Sequence, residues 1–248
     1  MPNRSLLVVL VSALLLPIAA FAQTPEERAA ARALAERRGP TVVMVLATVK
    51  TRLAAGSRET MRDIPVQTNA TVLDASGLTV MALSSIEPGA LLQGGRRGGE
   101  VSTETADLRI RTGDDRELPA RIVLRDADLD LLFIRPVDAP PTPLTAADGA
   151  AGTPVLMDLL VALQRTSENS GWRTFASFAY VQMVVDRPQP FYVLSSAGLG
   201  GALGFPVFDL SARFVGIMAR VGGPRANPLP AIVPADDIRE IAKQATGR

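Results

Sequence analysis

Residues 71–80 are Thr71-Val72-Leu73-Asp74-Ala75-Ser76-Gly77-Leu78-Thr79-Val80, two short β-branched runs on either side of a polar turn. Runs of this kind, bounded by Asp, Ser or Gly, are typical of antiparallel strands joined by tight turns. The stretch therefore predicts a hairpin. The same pattern recurs from Thr41 onward, which indicates an all-β chain built as an antiparallel sandwich or barrel.

Further strands are predicted in two sets along the chain. The first set is Thr41–Val49, Ile64–Leu73, Leu78–Leu83, Asp107–Thr112, Ala120–Leu124 and Leu131–Arg135. The second set is Pro154–Leu163, Arg173–Val185, Phe191–Ser195, Pro206–Leu210 and Arg213–Val221. Residues 136–152, rich in Pro, Ala and Asp, are predicted to link them. The expected architecture is a double β-barrel, with the first barrel over residues 40–135 and the second barrel, with a closing helix, over residues 153–248.

Two helices are predicted to flank the strands. Thr24-Pro25-Glu26-Glu27 is a strong helix start, since Thr24 can cap the first turn and Glu27 completes a capping box. This N-terminal helix is expected within residues 23–39, because Gly39-Pro40 ends the helical pattern. A C-terminal helix is expected to begin at Ala235-Asp236-Asp237 and to run to about Gln244.

Composition excludes several kinds of chemistry. The 248 residues include no histidine and no cysteine, which rules out disulfides, cysteine zinc sites, thiol nucleophiles and imidazole general bases. The formal net charge of +1 provides no field that would steer the protein to nucleic acid. No cofactor and no metal are expected, although a metal site made of carboxylates alone stays formally possible.

The first 22 residues have the pattern of a secretory signal peptide. Arg4 supplies a positive start, Leu6–Ala20 an apolar run, and Ala20-Phe21-Ala22 a small-x-small ending. The run is short of the about 20 residues that comfortably span a bilayer, so a retained anchor is the weaker interpretation. We expect cleavage, no stable membrane anchor in the mature protein, and a periplasmic or secreted location in a bacterium.

Five segments, in order, resemble the bacterial HtrA-type trypsin-like serine proteases over most of residues 39–245. Residues 39–43 resemble that family's opening strand, and residues 71–80 resemble the hairpin before its catalytic histidine. Residues 125–134 resemble the strand that begins with its triad aspartate. Residues 206–217 resemble the hairpin after its nucleophile, and residues 231–236 the strand leading into its closing helix. The resemblance implies a trypsin-like fold of two six-stranded barrels.

The resemblance also implies where a catalytic triad would lie, and two of its three positions do not fit. Acyl transfer by this mechanism needs a hydroxyl nucleophile, an imidazole that takes its proton, and a carboxylate that orients the imidazole. The histidine position falls on Ser84, whose hydroxyl cannot act as a base near neutral pH. The nucleophile position falls on Leu203, or on Leu199 in an alternative frame, although Ser195 and Ser196 lie a few residues upstream.

Only the aspartate position is filled, by Asp130. Since it has no histidine to orient, we expect a buried or half-buried acid that accepts hydrogen bonds from backbone amides or from Ser84. Gly200, Gly201 and Gly204 could leave a nest of amides like an oxyanion hole, but a role as turn residues is favoured.

Two other chemistries are disfavoured for the cleft. A Ser-Lys dyad does not fit, because the two lysines of the chain lie in the predicted opening strand and closing helix. Acid pairs such as Asp126 with Asp128, or Asp114 with Asp115, are more typical of solvated loops than of a general acid and base.

The sequence therefore favours an exported, non-catalytic homologue of trypsin-like proteases that binds a protein or peptide partner in its cleft or along an exposed strand edge. Leucine at the nucleophile position is expected to make the cleft floor more apolar. Two alternatives stay open: an active HtrA-type hydrolase with an unrecognised catalytic site, and a purely structural envelope protein. The PDZ module that often follows such protease domains is not expected. The cleft candidates are Ser84, Asp130, Gly201, Leu203 and Gly204.

Overall fold

A computed structural model of the chain describes residues 23–55, 58–87, 100–195, 199–222 and 228–246. The predicted signal peptide, residues 1–22, lies outside these ranges. Within them, twelve strands close into two six-stranded antiparallel barrels, with one helix before the strands and one after them. The double-barrel architecture expected from the sequence is confirmed.

The first barrel is formed by six strands. They are β1 Val42–Ala55, β2 Arg58–Val72, β3 Thr79–Ala82, β4 Glu100–Arg111, β5 Glu117–Asp126 and β6 Leu131–Pro136. Their order around the barrel is β1-β2-β3-β6-β5-β4. The ladder between β1 and β2 runs without a break from Val42↔Thr71 to Ala55↔Arg58, so both strands are longer than predicted.

The second barrel has the strand order β10-β11-β12-β9-β8-β7. Its strands are β7 Leu159–Arg165, β8 Thr174–Val185, β9 Phe191–Leu194, β10 Pro206–Asp209, β11 Phe214–Val221 and β12 Leu229–Pro234. The predicted start of β7 at Pro154 is wrong. Asp158 accepts a hydrogen bond from the Val155 amide at 2.9 Å and Met157 has φ +70°, so a turn precedes the strand.

Strands β3 and β6 explain how the two barrels join. All four residues of β3 are buried, and so are Leu131, Leu132, Phe133 and Ile134 at the start of β6. One face of this strand pair packs inside the first barrel, whereas the other face, with Val80 and Phe133, belongs to the apolar core of the second barrel. The continuous apolar run of β6 therefore lies at the junction of the two barrels. The residue just before it, Asp130, is buried at the base of the groove between them.

The two helices pack on the outside. Helix α1, Pro25–Arg38, has the predicted capping box between Thr24 and Glu27, and its buried Ala31 and Leu34 face the second barrel. Helix α2 spans Ala235–Thr246 and contacts β11, β12 and β5. No helix in the described ranges is long and apolar enough to cross a membrane.

Buried hydrogen bonds also fasten the barrels to each other. The Asn69 side-chain oxygen accepts a bond from the Arg165 amide at 2.7 Å. The Thr71 hydroxyl donates to the Gly204 carbonyl at 3.0 Å, and Arg165 Nε donates to the Val42 carbonyl at 2.8 Å. These polar groups are thus satisfied across the junction, which helps to fix the relative position of the two barrels.

Candidate functional site

Asp130 is the central residue of the groove between the barrels. It is 2% exposed, and its carboxylate accepts three hydrogen bonds: from the Ser84 amide at 2.6 Å, the Ser84 hydroxyl at 2.9 Å, and the Arg220 amide at 2.8 Å. Two donors belong to the first barrel and one to the second. The expectation of a buried acid that accepts bonds from amides and from Ser84 is confirmed.

Strand pairing brings Ser84 and Asp130 together. In the β3–β6 ladder Ala82 lies opposite Leu131, so the residues just beyond each strand end meet at the groove. Ser84 follows β3 in a short 3-10 turn, and the Leu83 amide donates to the Asp130 carbonyl at 2.9 Å. Asp130 has φ +57°, a left-handed backbone conformation that aspartate tolerates better than most residues.

Burial raises the pKa of the Asp130 carboxyl, because the charged form loses hydration, while the bonds from Arg220 and Ser84 act in the opposite direction. The Ser84 hydroxyl donates a hydrogen bond to this carboxylate. Its hydrogen bond is therefore directed into the protein. A serine in this arrangement anchors the acid and does not take a proton from another group.

Both leucines proposed at the nucleophile position are buried. Leu203 and Leu199 are each 7% exposed and belong to the apolar core that includes the second barrel. The expectation that Leu203 makes the cleft floor more apolar stays a prediction, and its packing with this core leaves little of its surface for the groove. The backbone next to it is tightly placed: a Cβ on Gly204 would lie 2.1 Å from the Asn69 carbonyl oxygen and 3.4 Å from the Ala82 amide nitrogen.

The glycines near these leucines adopt turn conformations. Gly200, Gly201 and Gly204 have φ of +60°, +71° and +79°. The Gly204 amide donates to the Met218 carbonyl at 2.7 Å, so it is not free to bind an oxyanion. Of the cleft candidates, Asp130, Leu203 and Gly204 are buried, whereas Ser84 is partly accessible and Gly201 is exposed.

Other candidate groups have structural partners. Ser195 exchanges hydrogen bonds with the Tyr180 backbone, its hydroxyl accepting from the amide at 2.9 Å, and Ser196 lies outside the described residues. Asp126 accepts bonds from the amides of Asp128 and Leu129, which closes the turn before Asp130.

The second acid pair is engaged in ion pairs. Asp114 contacts Arg116 at 2.7 Å and Asp115 contacts Arg111 at 3.0 Å, on the turn between β4 and β5. Among the described residues, no three acidic side chains come together in a group that could hold a metal ion.

An open strand edge borders the Asp130 site. Arg220 lies opposite Pro230 in the β11–β12 ladder, yet its amide points to Asp130 and therefore away from β12. Since the N–H and C=O of a strand residue point to the same side, the Arg220 carbonyl also faces the groove. No sequence signal identified this edge, because it depends on backbone direction and not on side-chain type.

Next to this edge lies a cavity of about 300 Å³. Phe191 and Val221 form apolar walls, and Gly222 continues the open edge of β11. The first barrel contributes Asp128 and the β8–β9 connection contributes Pro188 and Gln189. The groove therefore offers backbone groups, an apolar pocket and one acidic group side by side.

Comparison with solved structures identifies the fold. Among many matches is the crystal structure of Rv3671c from M. tuberculosis H37Rv, in the inactive form of a serine-to-alanine mutant. The match covers 91% of this chain and 96% of that chain, with a TM-score of 0.54 and 15% sequence identity. This chain has a trypsin-like fold. No family model matches it, and neither does any curated protein. At 15% identity the likeness establishes the fold alone, so arguments on function rest on the site itself.

Proposed function

We propose that this chain is an exported, non-catalytic protein of trypsin-like fold that binds an extended segment of a partner protein in the groove between its barrels. The observation that carries the proposal is the Ser84–Asp130 pair. The Ser84 hydroxyl donates to the Asp130 carboxylate at 2.9 Å at the place where the resemblance implies an imidazole. This pair anchors the groove instead of activating a nucleophile.

The remaining requirements for acyl transfer support the same proposal. The chain contains no histidine to serve as a base. The nucleophile position falls on Leu203 or on Leu199, depending on the alignment. Both are buried leucines without a nucleophilic group, so neither alignment presents a nucleophile to the groove. Ser195 hydrogen-bonds within the β8–β9 pairing and has no described base beside it.

Peptide binding is supported by the open edge of β11 and the adjoining cavity. An extended segment can hydrogen-bond as an added strand to the Arg220 carbonyl and to Gly222, since the Arg220 amide is already bonded to Asp130. Side chains of such a segment alternate sides, so every second one can point toward the pocket wall of Phe191 and Val221. An apolar side chain fits these walls, and a neighbouring basic group would complement Asp128. Export is supported by the signal-peptide pattern of residues 1–22.

The absence of catalysis is tested by incubating the mature protein with unfolded casein and with a serine-reactive fluorophosphonate probe. We expect intact casein and no specific labelling. Casein cleavage or labelling that survives in Leu203→Ala, but disappears when Ser84, Ser195 or Ser196 is changed to alanine, would instead identify an active hydrolase. A matched sample of a catalytically active trypsin-like protease verifies the probe and the substrate.

Binding is tested by narrowing the cavity without altering the core. Gln189→Trp places a large side chain on the exposed rim of the cavity, whereas Gln182→Trp makes the same exchange at an exposed position on β8 that does not line it. Fluorescence anisotropy with labelled unfolded casein should show binding weakened about tenfold in Gln189→Trp and unchanged in Gln182→Trp. Equal affinities, or no binding by the parent protein, would contradict a binding role for this groove and favour a structural role.

A further inference from the structure

A second cavity, of about 520 Å³, lies where the first barrel, the second barrel and helix α1 meet. It is lined by the end of α1, the turn between β4 and β5, residues 142–145 of the linker, and the adjacent residues Arg165 and Thr174 of β7 and β8. It shares no lining residue with the cavity beside Asp130.

Arg165 is a buried cation that projects into this cavity. The residue is 8% exposed, and Nε and Nη1 donate to the carbonyls of Val42 at 2.8 Å and Trp172 at 2.9 Å. Within the described part of the chain, Nη2 has no acceptor, and no carboxylate lies within ion-pair distance of the guanidinium. Nη2 lies beneath Gly113, where an added Cβ would come within 2.6 Å of it. A buried charge without an ionic partner is costly, so the site gains stability from an anion.

The other charges that line the cavity cancel each other. Asp114 and Arg116 form an ion pair at 2.7 Å, which leaves Arg165 as the charge of the lining without an ion pair, although the carboxylates of Asp115 and Asp114 attract it from a longer distance. A singly charged anion is enough to neutralise the one positive charge that the lining leaves over. Ala35, Val43 and Leu144 contribute apolar surface to the same cavity, which suits a ligand with an apolar body.

Thr174 supplies a second polar group at the right place. It lies directly opposite Arg165 in the β7–β8 ladder, so both side chains stand on the same face of the sheet. Its hydroxyl is 4.0 Å from the position of a Cβ built on Gly39, which places it at the end of α1. None of the described residues exchanges a hydrogen bond with this hydroxyl.

From these contacts we infer that the cavity binds a monocarboxylate with a small apolar body. The carboxylate accepts hydrogen bonds from Arg165 Nη2 and the Thr174 hydroxyl, and the body packs against Ala35, Val43 and Leu144. The same chemistry is offered by a free organic acid and by the C-terminal carboxylate of an apolar peptide. This inference does not depend on the function proposed for the groove.

The test is isothermal titration of the mature protein with hexanoate, with hexanol as the uncharged control. We expect saturable binding of hexanoate only. Thr174→Val should weaken it about tenfold, since the variant keeps the shape of the side chain and loses one donor to a charged group. Thr60→Val, on the exposed part of β2, is the matched control and should bind as the parent does.

Arg165→Met should abolish saturable binding, provided that its circular dichroism spectrum shows a folded protein. If that variant does not fold, the comparison of Thr174→Val with Thr60→Val decides. Equal binding of hexanoate and hexanol, no saturable binding by the parent, or equal affinity in Thr174→Val and Thr60→Val would overturn the inference. Titration with acetyl-Leu-Ala, as the free acid and as the amide, then distinguishes a peptide C-terminus from a free acid as the ligand.

Discussion

At the scale of single residues, the junction between the barrels depends on one carboxylate that accepts hydrogen bonds from three donors. Asp130 is held between Ser84 of the first barrel and the Arg220 amide of the second, at distances of 2.6 to 2.9 Å. Bonds from several donors make up for part of the hydration that a buried charge loses. Asp130 therefore acts as a structural connection between the barrels, whatever binds in the groove.

Replacing this acid should destabilise the whole fold. In Asp130→Asn one carboxylate oxygen becomes an NH₂ group, which faces an N–H or O–H donor and leaves it without an acceptor. We expect the free energy of unfolding to fall by about 1–3 kcal/mol, measured by urea denaturation. Asp128→Asn, two residues away on an exposed turn, is the control and should change it by less than about 0.5 kcal/mol. Equal stability of the two variants would contradict this role for Asp130.

The stabilising effect of Asp130 should also depend on pH. Because burial raises the pKa of this carboxyl above its ordinary value of 3.8, the folded protein binds the proton more tightly than the unfolded chain does. The part of its contribution that depends on proton binding is therefore fully present below pH 3.8 and is lost as the pH rises through the folded-state pKa, while the hydrogen bonds to the carboxylate remain. The parent protein should exceed Asp130→Asn in stability by more below pH 3.8 than at neutral pH, measured by denaturation at each pH. A constant difference would show that the pKa is not raised.

At the scale of elements, the turn after β9 shows how a glycine holds two barrels in contact. Gly204 and Gly201 share a left-handed backbone, with φ of +79° and +71°. Their surroundings differ: a Cβ on Gly204 would overlap the Asn69 carbonyl, whereas nothing lies within 4 Å of one on Gly201. The two positions therefore separate backbone strain from steric overlap.

This difference gives a matched pair of variants. Gly201→Ala should cost about 1 kcal/mol of stability, from the left-handed conformation alone. Gly204→Ala should cost at least about 2 kcal/mol more, because backbone atoms of β2 must move to admit the methyl group. Thermal denaturation of both variants measures the two effects. Similar melting temperatures would mean that the contact between Gly204 and Asn69 is looser than its geometry indicates.

The sequence predicted the centres of most strands but not their ends. Beyond Val49, β1 continues through Lys50-Thr51-Arg52, where no apolar alternation remains and the backbone ladder with β2 and β4 forms the strand. Strand β12 was not among the predicted strands, because Leu229-Pro230 reads as part of a turn region, although residues 231–236 were matched through the resemblance. Apolar periodicity in a sequence indicates which side chains are buried. It does not predict a strand segment that is defined by its backbone hydrogen bonds and has no such periodicity.

For the candidate site, too, the contact that depends on side chains was predicted and the one that depends on the backbone was not. The pairing of Ser84 with Asp130 was predicted, since both follow from the order of recognisable segments. The Arg220 amide was not, because any residue type could donate it. The burial of Leu203 was also not predicted, since a leucine in a turn gives no sign of how much of its side chain is exposed.

At the scale of the whole molecule, one buried and one exposed hydrogen bond link the barrels on the side of β2. Asn69 and Gln67 both accept a hydrogen bond from a second-barrel amide through a side-chain oxygen. The Asn69 bond to Arg165 is 2.7 Å long and buried, whereas the Gln67 bond to Glu168 is 3.4 Å long and exposed. If either bond is lost, water can take the place of the Gln67 side chain but not of the buried Asn69 side chain.

Asn69→Ala should therefore lower the free energy of unfolding by about 1–3 kcal/mol, because the Arg165 amide is left without an acceptor. Gln67→Ala should lower it by less than about 0.5 kcal/mol. Urea denaturation measures both, and hydrogen exchange at the Arg165 amide should accelerate in the first variant only. Equal effects would assign no special role to the buried bond.

The double burial of β3 and β6 has a consequence for the engineering of the chain. The first half presents Val80 and Phe133 on the surface facing its partner, and both side chains are fully buried in the intact protein against the apolar core of the second half. Cutting the chain in the linker would expose an apolar face on each half. We expect the two halves to behave as complementary fragments that associate with each other, and not as independent domains. We therefore expect neither barrel to fold on its own, so that a fusion or a redesign has to keep both halves together.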